Sequence, residues 1–439
     1  MRNVPIANPR KYDMIVRVLV SLIICGEAVN GSSLKIIEET RGRAFQSRNF
    51  TVYHRPCNFK LNYAEDYNLK TSTIIEKYGL PSEVHSIQTE DGYILEIFRI
   101  PAAGKPIALL NHGFGGSSRL FVINCDRRAL AVRLADEGFD VWLANFRGNE
   151  YSNKHTQLSI DDAQYWDHSI DDVAFYDTAA IIDYILEVSG QERLNWVGHS
   201  LGNSFVVGLL ASQPEYNEKI NMGFALGGGS GIYTHHVQPL LRNLVPFEKS
   251  VYRLGKWLLS GKLLPSNFPP LLHKFMHRAC TKDALNRRFG ICLYISYIFD
   301  GFHPGQIPPE VLSMVLYRLP SNVSVKLFSQ WLQWAKYSRV AFFNYGPLRN
   351  LFTYGKFQSP LYDFKQVTSL NRTVVFWAQN DAFIYPEDVK IGAQLFPHVK
   401  VIGVSDPSWN HFDFLLGQDA DIFVYDTIIR MLKESTDRA

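Results

Sequence analysis

The chain runs to 439 residues, 46% hydrophobic and 20% charged, with a formal net charge of +3. That is enough apolar material for one large α/β domain or for two to three smaller ones. No Lys/Arg stripe stands out, which argues against nucleic acid as a partner, and no internal repeat or low-complexity tract is visible.

The N-terminus reads as a targeting segment. Residues 14–25, MIVRVLVSLIIC, form an apolar run of about a dozen residues, whereas a spanning helix needs roughly 20. Arg2, Arg10 and Lys11 precede the run, and small or polar residues from Gly26 to Ser33 follow, where cleavage is expected. Residues 1–31 are therefore assigned to a signal region, and no transmembrane anchor is expected. Sequons at Asn30, Asn49, Asn322 and Asn371 fit a secretory route, ending outside the cell or in the lysosomal lumen; Asn30 is expected to leave with the signal. Cys280 and Cys292 are near enough in sequence to close a small loop in an oxidising compartment, or to stay as two buried thiols. No CxxC or His/Cys cluster suggests a metal, and no cofactor is expected.

The next elements form a hairpin: residues 83–90 and 93–100 alternate around Asp91-Gly92. Short, nearly continuous apolar runs at 106–110, 140–144, 194–197, 220–226, 373–378 and 399–404 read as strands covered on both faces. Helical patterns fill the gaps at 127–137, 171–188, 201–211, 386–395 and 419–432. The second opens on Ser169-Ile170-Asp171-Asp172, a capping box. This alternation predicts an α/β class with a doubly wound, mostly parallel sheet. It fails between about residues 235 and 363, where helical patterns at 251–264, 289–299, 309–319 and 323–339 are joined by proline pairs. The expected division is a core of residues 32–234 and 366–439, interrupted by a helical cap at 235–365. The cap is rich in rings, including Trp257, Phe289, Tyr294, Trp331, Trp334 and Phe342. Most must build its own core; some are candidates to line an apolar cavity.

Chemistry concentrates at Gly198-His199-Ser200-Leu201-Gly202. A strand that turns at once into a helix pushes one side chain above the sheet edge, and small residues at minus two and plus two relieve the crowding. Here a strand precedes and a helix follows, so Ser200 is the candidate nucleophile. A serine hydroxyl needs a base, and the base needs a carboxylate to orient it. Asp381 follows the 373–378 strand and His411 follows the 399–404 strand, in the chain order serine, acid, base. Glu387, Asp388, Asp406 and Asp413 are alternatives for the acid. His199 reads as packing. One oxyanion donor is the N–H of Leu201 at the helix start; the second is the N–H of Phe114, after the His112-Gly113 turn.

Other conspicuous pieces have plainer explanations. The glycines at 227–229 lack the spacing of a phosphate loop and read as the strand-to-cap connection. Asp161, Asp162, Asp167, Asp171 and Asp172 match no calcium loop. His235-His236 reads as a surface pair.

Taken together, the pieces EDGYILEIFRIP, NHGFGGSS, ANFRGNEYS, YWDHSIDDVAFYDTAAIIDYI, VGHSLG, QNDAFIYPEDV and WNHFDFLLG resemble the acid lipase family, over residues 78–432. The resemblance implies an α/β-hydrolase fold with a helical cap and lid, N-glycosylation and long-chain ester substrates. It places nucleophile, acid and base on Ser200, Asp381 and His411, and the oxyanion donors on Phe114 and Leu201. Three positions depart from the family's usual pattern: Leu201 where glutamine is common, Phe114 where leucine is common, and Gln330 before Trp331 where histidine is common. The expected activity is a lipase working on neutral lipid esters at a lipid–water interface. A short-chain or steryl esterase, or a catalytically silent lipid-binding protein, are the alternatives. Oligomeric state is not legible.

Overall fold

A computed structural model of the chain describes residues 66–124, 126–228, 239–263, 305–318, 320–396 and 398–436, together with 278, 300 and 303. The expected targeting segment, Asn30, Asn49, His235, His236, Cys280, Cys292 and the helix expected at 289–299 lie outside the described residues.

Eight strands carry the architecture: β1 (Glu83–Gln88), β2 (Tyr93–Ile100), β3 (Ile107–Asn111), β4 (Asp140–Leu143), β5 (Leu194–His199), β6 (Ile220–Leu226), β7 (Thr373–Trp377) and β8 (Lys400–Gly403). Across the sheet they run β1-β2-β4-β3-β5-β6-β7-β8, and the two-residue strand Lys154–His155 pairs with β2. The β1–β2 and β2–β4 pairs are antiparallel. From β4 to β8 every pair is parallel.

Helices α1 (Thr71–Lys77), α2 (Leu130–Asp136), α3 (Ala179–Ser189) and α4 (Leu201–Ser212) precede β6. Helices α5 (Glu248–Leu258), α6 (Pro309–Arg318), α7 (Val325–Tyr337) and α8 (Pro347–Tyr354) lie in the insertion between β6 and β7, while α9 (Pro386–Leu395) and α10 (Asp426–Thr436) flank β8.

The period of two along each strand divides the core into two layers. Ala108 and Leu110 face one side with Val141, Val197 and Phe224, under α1, α2 and α10. Ile107 and Leu109 face the other with Trp142, Trp196 and Ala225, under α3 and α4. Both layers are apolar, so β3 and β5 are buried at every residue and lack a polar face. Each large apolar side chain so enclosed contributes about 1.5–3 kcal/mol.

The insertion departs from the sequence expectation at three places. The helix expected at 251–264 stops at Leu258, because Ser260 (φ 51°) and Gly261 (φ 79°) turn the chain. Lys262 and Leu263 then pair with Val323 and Ser324. Ser324 Oγ accepts from the N–H groups of Lys326 and Leu327 at 3.0 and 3.3 Å and so starts α7 two residues later than expected. Helix α8 had no counterpart in the reading. It opens on Pro347 and closes on Gly355 in the left-handed region, both ordinary helix signals. Its apolar side chains Leu348 and Phe352 are exposed at 72% and 88%, so no core stripe announced it.

Candidate active site

The turn from β5 into α4 is built by close approach. Ser200 sits at φ 56°, ψ −127°, a conformation that costs a non-glycine residue about 1–3 kcal/mol. Its N–H donates to the Leu226 carbonyl at 3.0 Å, and Asn203 Nδ2 donates to that same carbonyl at 3.2 Å, pinning the turn to the end of β6. A Cβ at position 198 would lie 2.4 Å from Asn203 Oδ1, and one at 202 would lie 2.6 Å from the carbonyl oxygens of Asn111 and His112. Both glycines of the motif are therefore steric requirements.

The loop after β3 lies against the serine. A Cβ on Gly113 would be 2.7 Å from Ser200 Cβ and 3.3 Å from the Leu201 nitrogen. The Gly113 carbonyl accepts from His112 Nδ1 at 2.9 Å and from the Gly116 N–H at 3.1 Å. In a trans peptide the following N–H points the opposite way, so this pairing aims the Phe114 N–H away from the His112 ring. His112 Nε2 accepts from the Phe146 N–H at 3.3 Å. Burial lowers the His112 pKa to about 4, so the ring is neutral and its tautomer is fixed by these two bonds.

On the far side, His411 Nδ1 donates to Asp381 Oδ2 at 2.8 Å, with both side chains buried. Asp381 Oδ1 accepts the N–H groups of Phe383 and Ile384, each at 2.8 Å. The imidazole is flanked by the rings of His199 (4.7 Å between centroids) and Phe383 (5.0 Å). Gly227, the residue after β6, passes so close that a Cβ there would sit 3.0 Å from His411 Nδ1. The end of β6 thus touches both halves: Leu226 holds the serine and Gly227 backs the histidine.

The alternative carboxylates do other work. Glu387 is exposed and Asp388 is buried in α9. Asp406 and Asp413 both bond His303, at 3.2 and 2.6 Å. The acidic run divides likewise: Asp172 completes the capping box with Ser169, and Asp167 pairs with Lys256. Asp171 accepts from Gln330 Nε2 at 2.6 Å, from the Tyr362 hydroxyl at 2.5 Å and from the Phe343 N–H at 2.8 Å. Gln330 is thereby a joint between the insertion and the core. Among the described residues, no group of three or more His, Cys, Asp or Glu is arranged to hold a metal.

The Asn322 sequon stands at a buried position. Asn322 is only 7% exposed, beside the loop after β3, and the Ser324 hydroxyl of its sequon donates to the Trp166 and His168 carbonyls. Asn371 is exposed.

Sequence reasoning gave His199 a packing role alone and did not single out Asp300 or His303. His199 Nε2 donates to the His411 carbonyl at 2.9 Å, so it holds His411 as well as packing against it. Burial, then the neighbouring His411, push its pKa well below the usual value and keep it neutral. Asp300 and His303 reach the same loop from the insertion. Nothing local to either residue signals that contact.

Fold and elbow together define an α/β hydrolase, and the model of the alpha/beta hydrolase fold matches residues 106–418. A second model, a partial alpha/beta-hydrolase lipase region, matches residues 71–125. Among curated proteins, mouse gastric triacylglycerol lipase is 31% identical over 84% of this chain and 92% of its own length. Human lipase member K is 32% identical over 85% and 93%, and human lysosomal acid lipase/cholesteryl ester hydrolase 31% over 88% and 96%. A solved structure from Sulfolobus solfataricus shares the fold with a TM-score of 0.53 at 14% identity, covering 81% of this chain and 94% of that one. The chain belongs to the acid lipase family of the α/β hydrolases, a family of carboxylic ester hydrolases. No helix among the described residues is long and apolar enough to cross a membrane.

Proposed function

We propose that this protein is a lipase: a serine hydrolase that cleaves carboxylic esters of neutral lipids, triacylglycerols or steryl esters, through an acyl-enzyme. The observation that carries the reading is the buried His411–Asp381 hydrogen bond at the sheet edge where strained Ser200 emerges. His411 Nε2 takes the Ser200 proton as Oγ attacks the ester carbonyl. The ester C–O bond breaks and the alcohol leaves with that proton. Water then repeats the sequence on the acyl-enzyme and frees the acid. Asp381 fixes the Nδ1–H tautomer of the base. The Phe114 and Leu201 N–H groups hold the developing oxyanion.

A narrow cleft lies beside the loop after β3, between Phe114, Phe205 and Leu201 of the core and Val323 and Leu327 of the insertion, and in this reading the acyl chain enters along it. In this reading residues 235–365 act as the cap. The insertion's outer helices carry apolar side chains into solvent, Trp257 at 75% and Phe352 at 88%, beside Arg253, Arg349 and Lys356. Apolar side chains exposed among basic ones on each helix suit a lipid–water interface. A signal region, the exposed Asn371 sequon and the kinship with gastric and lysosomal lipases support a secreted or lysosomal protein.

The test is a panel of a triacylglycerol, a cholesteryl ester and a soluble short-chain ester, assayed across pH with the purified, glycosylated protein and its Ser200→Ala variant. Faster turnover of a long-chain ester, lost in the variant, is expected. Turnover of the short-chain ester alone would make it an esterase of another kind. Lipid binding without hydrolysis would leave a carrier.

A further inference from the structure

The loop that presents His411 is held by the insertion as well as by the core. The Asn410 N–H donates to Asp413 Oδ2 at 2.8 Å, and the Phe412 N–H donates to the Asp300 carboxyl at 3.2 and 3.3 Å. The residues on either side of the base are thus anchored on buried acids. His303 completes the arrangement. Its Nδ1 donates to the same Asp413 Oδ2 at 2.6 Å, and its Nε2 lies 3.2 Å from Asp406 Oδ2, seven residues back along the loop. Asp413 Oδ1 has no hydrogen-bond partner among the described residues, so the other oxygen carries the whole anchorage. Trp409, between the two carboxylates in sequence, sets its ring 6.1 Å from His303. Nearby, the Gln418 N–H donates to the Gln306 carbonyl at 2.8 Å, extending the contact between insertion and loop.

We infer that His303 is a positioning residue for the base: its imidazolium, bridging Asp406 and Asp413, fixes the loop on which His411 stands, so that the insertion governs reactivity as well as access. The inference rests on the hydrolase reading above. The titratable groups facing His303 are Asp406 and Asp413 from the loop. Asp300, on its own segment, lies close enough to feel the charges of Asp413 and Asp381. Burial, then those two charges, push Asp300 well above the carboxylate range, so it is the neutral member. Burial opposes a charge on His303, and the two loop carboxylates outweigh it, so the imidazole keeps its proton above the usual histidine value. A histidine whose folded pKa is raised contributes its stabilisation below the unfolded value and loses it as pH rises through the folded one. Once the proton is gone, two carboxylates confront a neutral ring and the anchorage at Asn410 loosens. Reactivity at Ser200 then falls on the alkaline side.

The experiment is the rate at which a fluorophosphonate labels Ser200 as a function of pH, in the full chain. In that reaction the Oγ–P bond forms, fluoride leaves and His411 takes the serine proton, so the rate reads the base directly. Wild type should show an alkaline fall. His303→Gln should label at least tenfold more slowly at the wild-type optimum, without that fall. Asp406→Asn keeps the Oδ1 bond from the Ser408 N–H (2.8 Å) but removes one charge facing His303. It should move the alkaline fall to lower pH. Unfolding temperatures of both variants show whether they fold, and if His303→Gln does not, Asp406→Asn decides. A His303→Gln protein with wild-type rate and profile, or an Asp406→Asn protein whose fall is unmoved, overturns the inference alone. A wild type that takes no label at Ser200 overturns the hydrolase reading and this inference with it.

Discussion

The two sides of the active site are held by different physics. The serine side is held by backbone. Two glycines, a left-handed φ and bonds from the Ser200 N–H and the Asn203 side chain to the Leu226 carbonyl, on the neighbouring strand, fix Ser200. The histidine side is held by side chains drawn from remote segments: Asp381 after β7, His199 on β5, and Asp300 and His303 from the insertion. A site made the first way tolerates no Cβ. A site made the second way depends on the charge state of its anchors.

Substitutions can break that contrast. The largest effect falls on the shared chemistry: Asp381→Asn should lower turnover by about 10⁴-fold with little change in KM for a soluble ester, measured by steady-state kinetics. On the backbone-held side, Gly202→Ala puts a methyl 2.6 Å from two carbonyl oxygens. It should cost about 1–3 kcal/mol of stability and disturb the elbow, so denaturant unfolding and activity should fall together.

The joint between core and insertion extends the comparison to pH. Burial holds Asp171 at about 6, against 3.8 for an unperturbed carboxyl, despite its bonds to Tyr362, Phe343 and Gln330. The folded state therefore binds the extra proton between these values. Stability contributed here is fully present below about pH 3.8, falls by on the order of 3 kcal/mol as pH climbs to about 6 and is level above that. Unfolding midpoints across that window should show Asp171→Asn lacking this slope, whatever its absolute stability. The smallest effect concerns the surface: intact mass should lose a glycan in Asn371→Gln and stay unchanged, beyond the substitution itself, in Asn322→Gln.

Much of the serine side was legible because its causes are local. Gly198-His199-Ser200-Leu201-Gly202 follows an apolar run and opens a helix, and steric need writes itself at fixed offsets. The β3 and β5 strands, solid apolar runs with layers on both faces, were legible for the same reason. Asp381 and His411 could be placed only by chain order after a strand. The anchors behind them could not be placed at all. His303 lies 110 residues from Asp413 and looks like an ordinary loop histidine. Helix α8 escaped because its apolar residues face outward. The burial of Asn322 was not legible, because a sequon records three residues and says nothing of packing.

The most direct test of the central claim is a crystal structure of the protein after reaction with a lipid-like phosphonate. The account predicts phosphorus bonded to Ser200 Oγ, its oxygen about 2.7–3.1 Å from the Phe114 and Leu201 nitrogens, and His411 still bonded to Asp381. An adduct on another residue, or a phosphonyl oxygen turned away from both nitrogens, would contradict it.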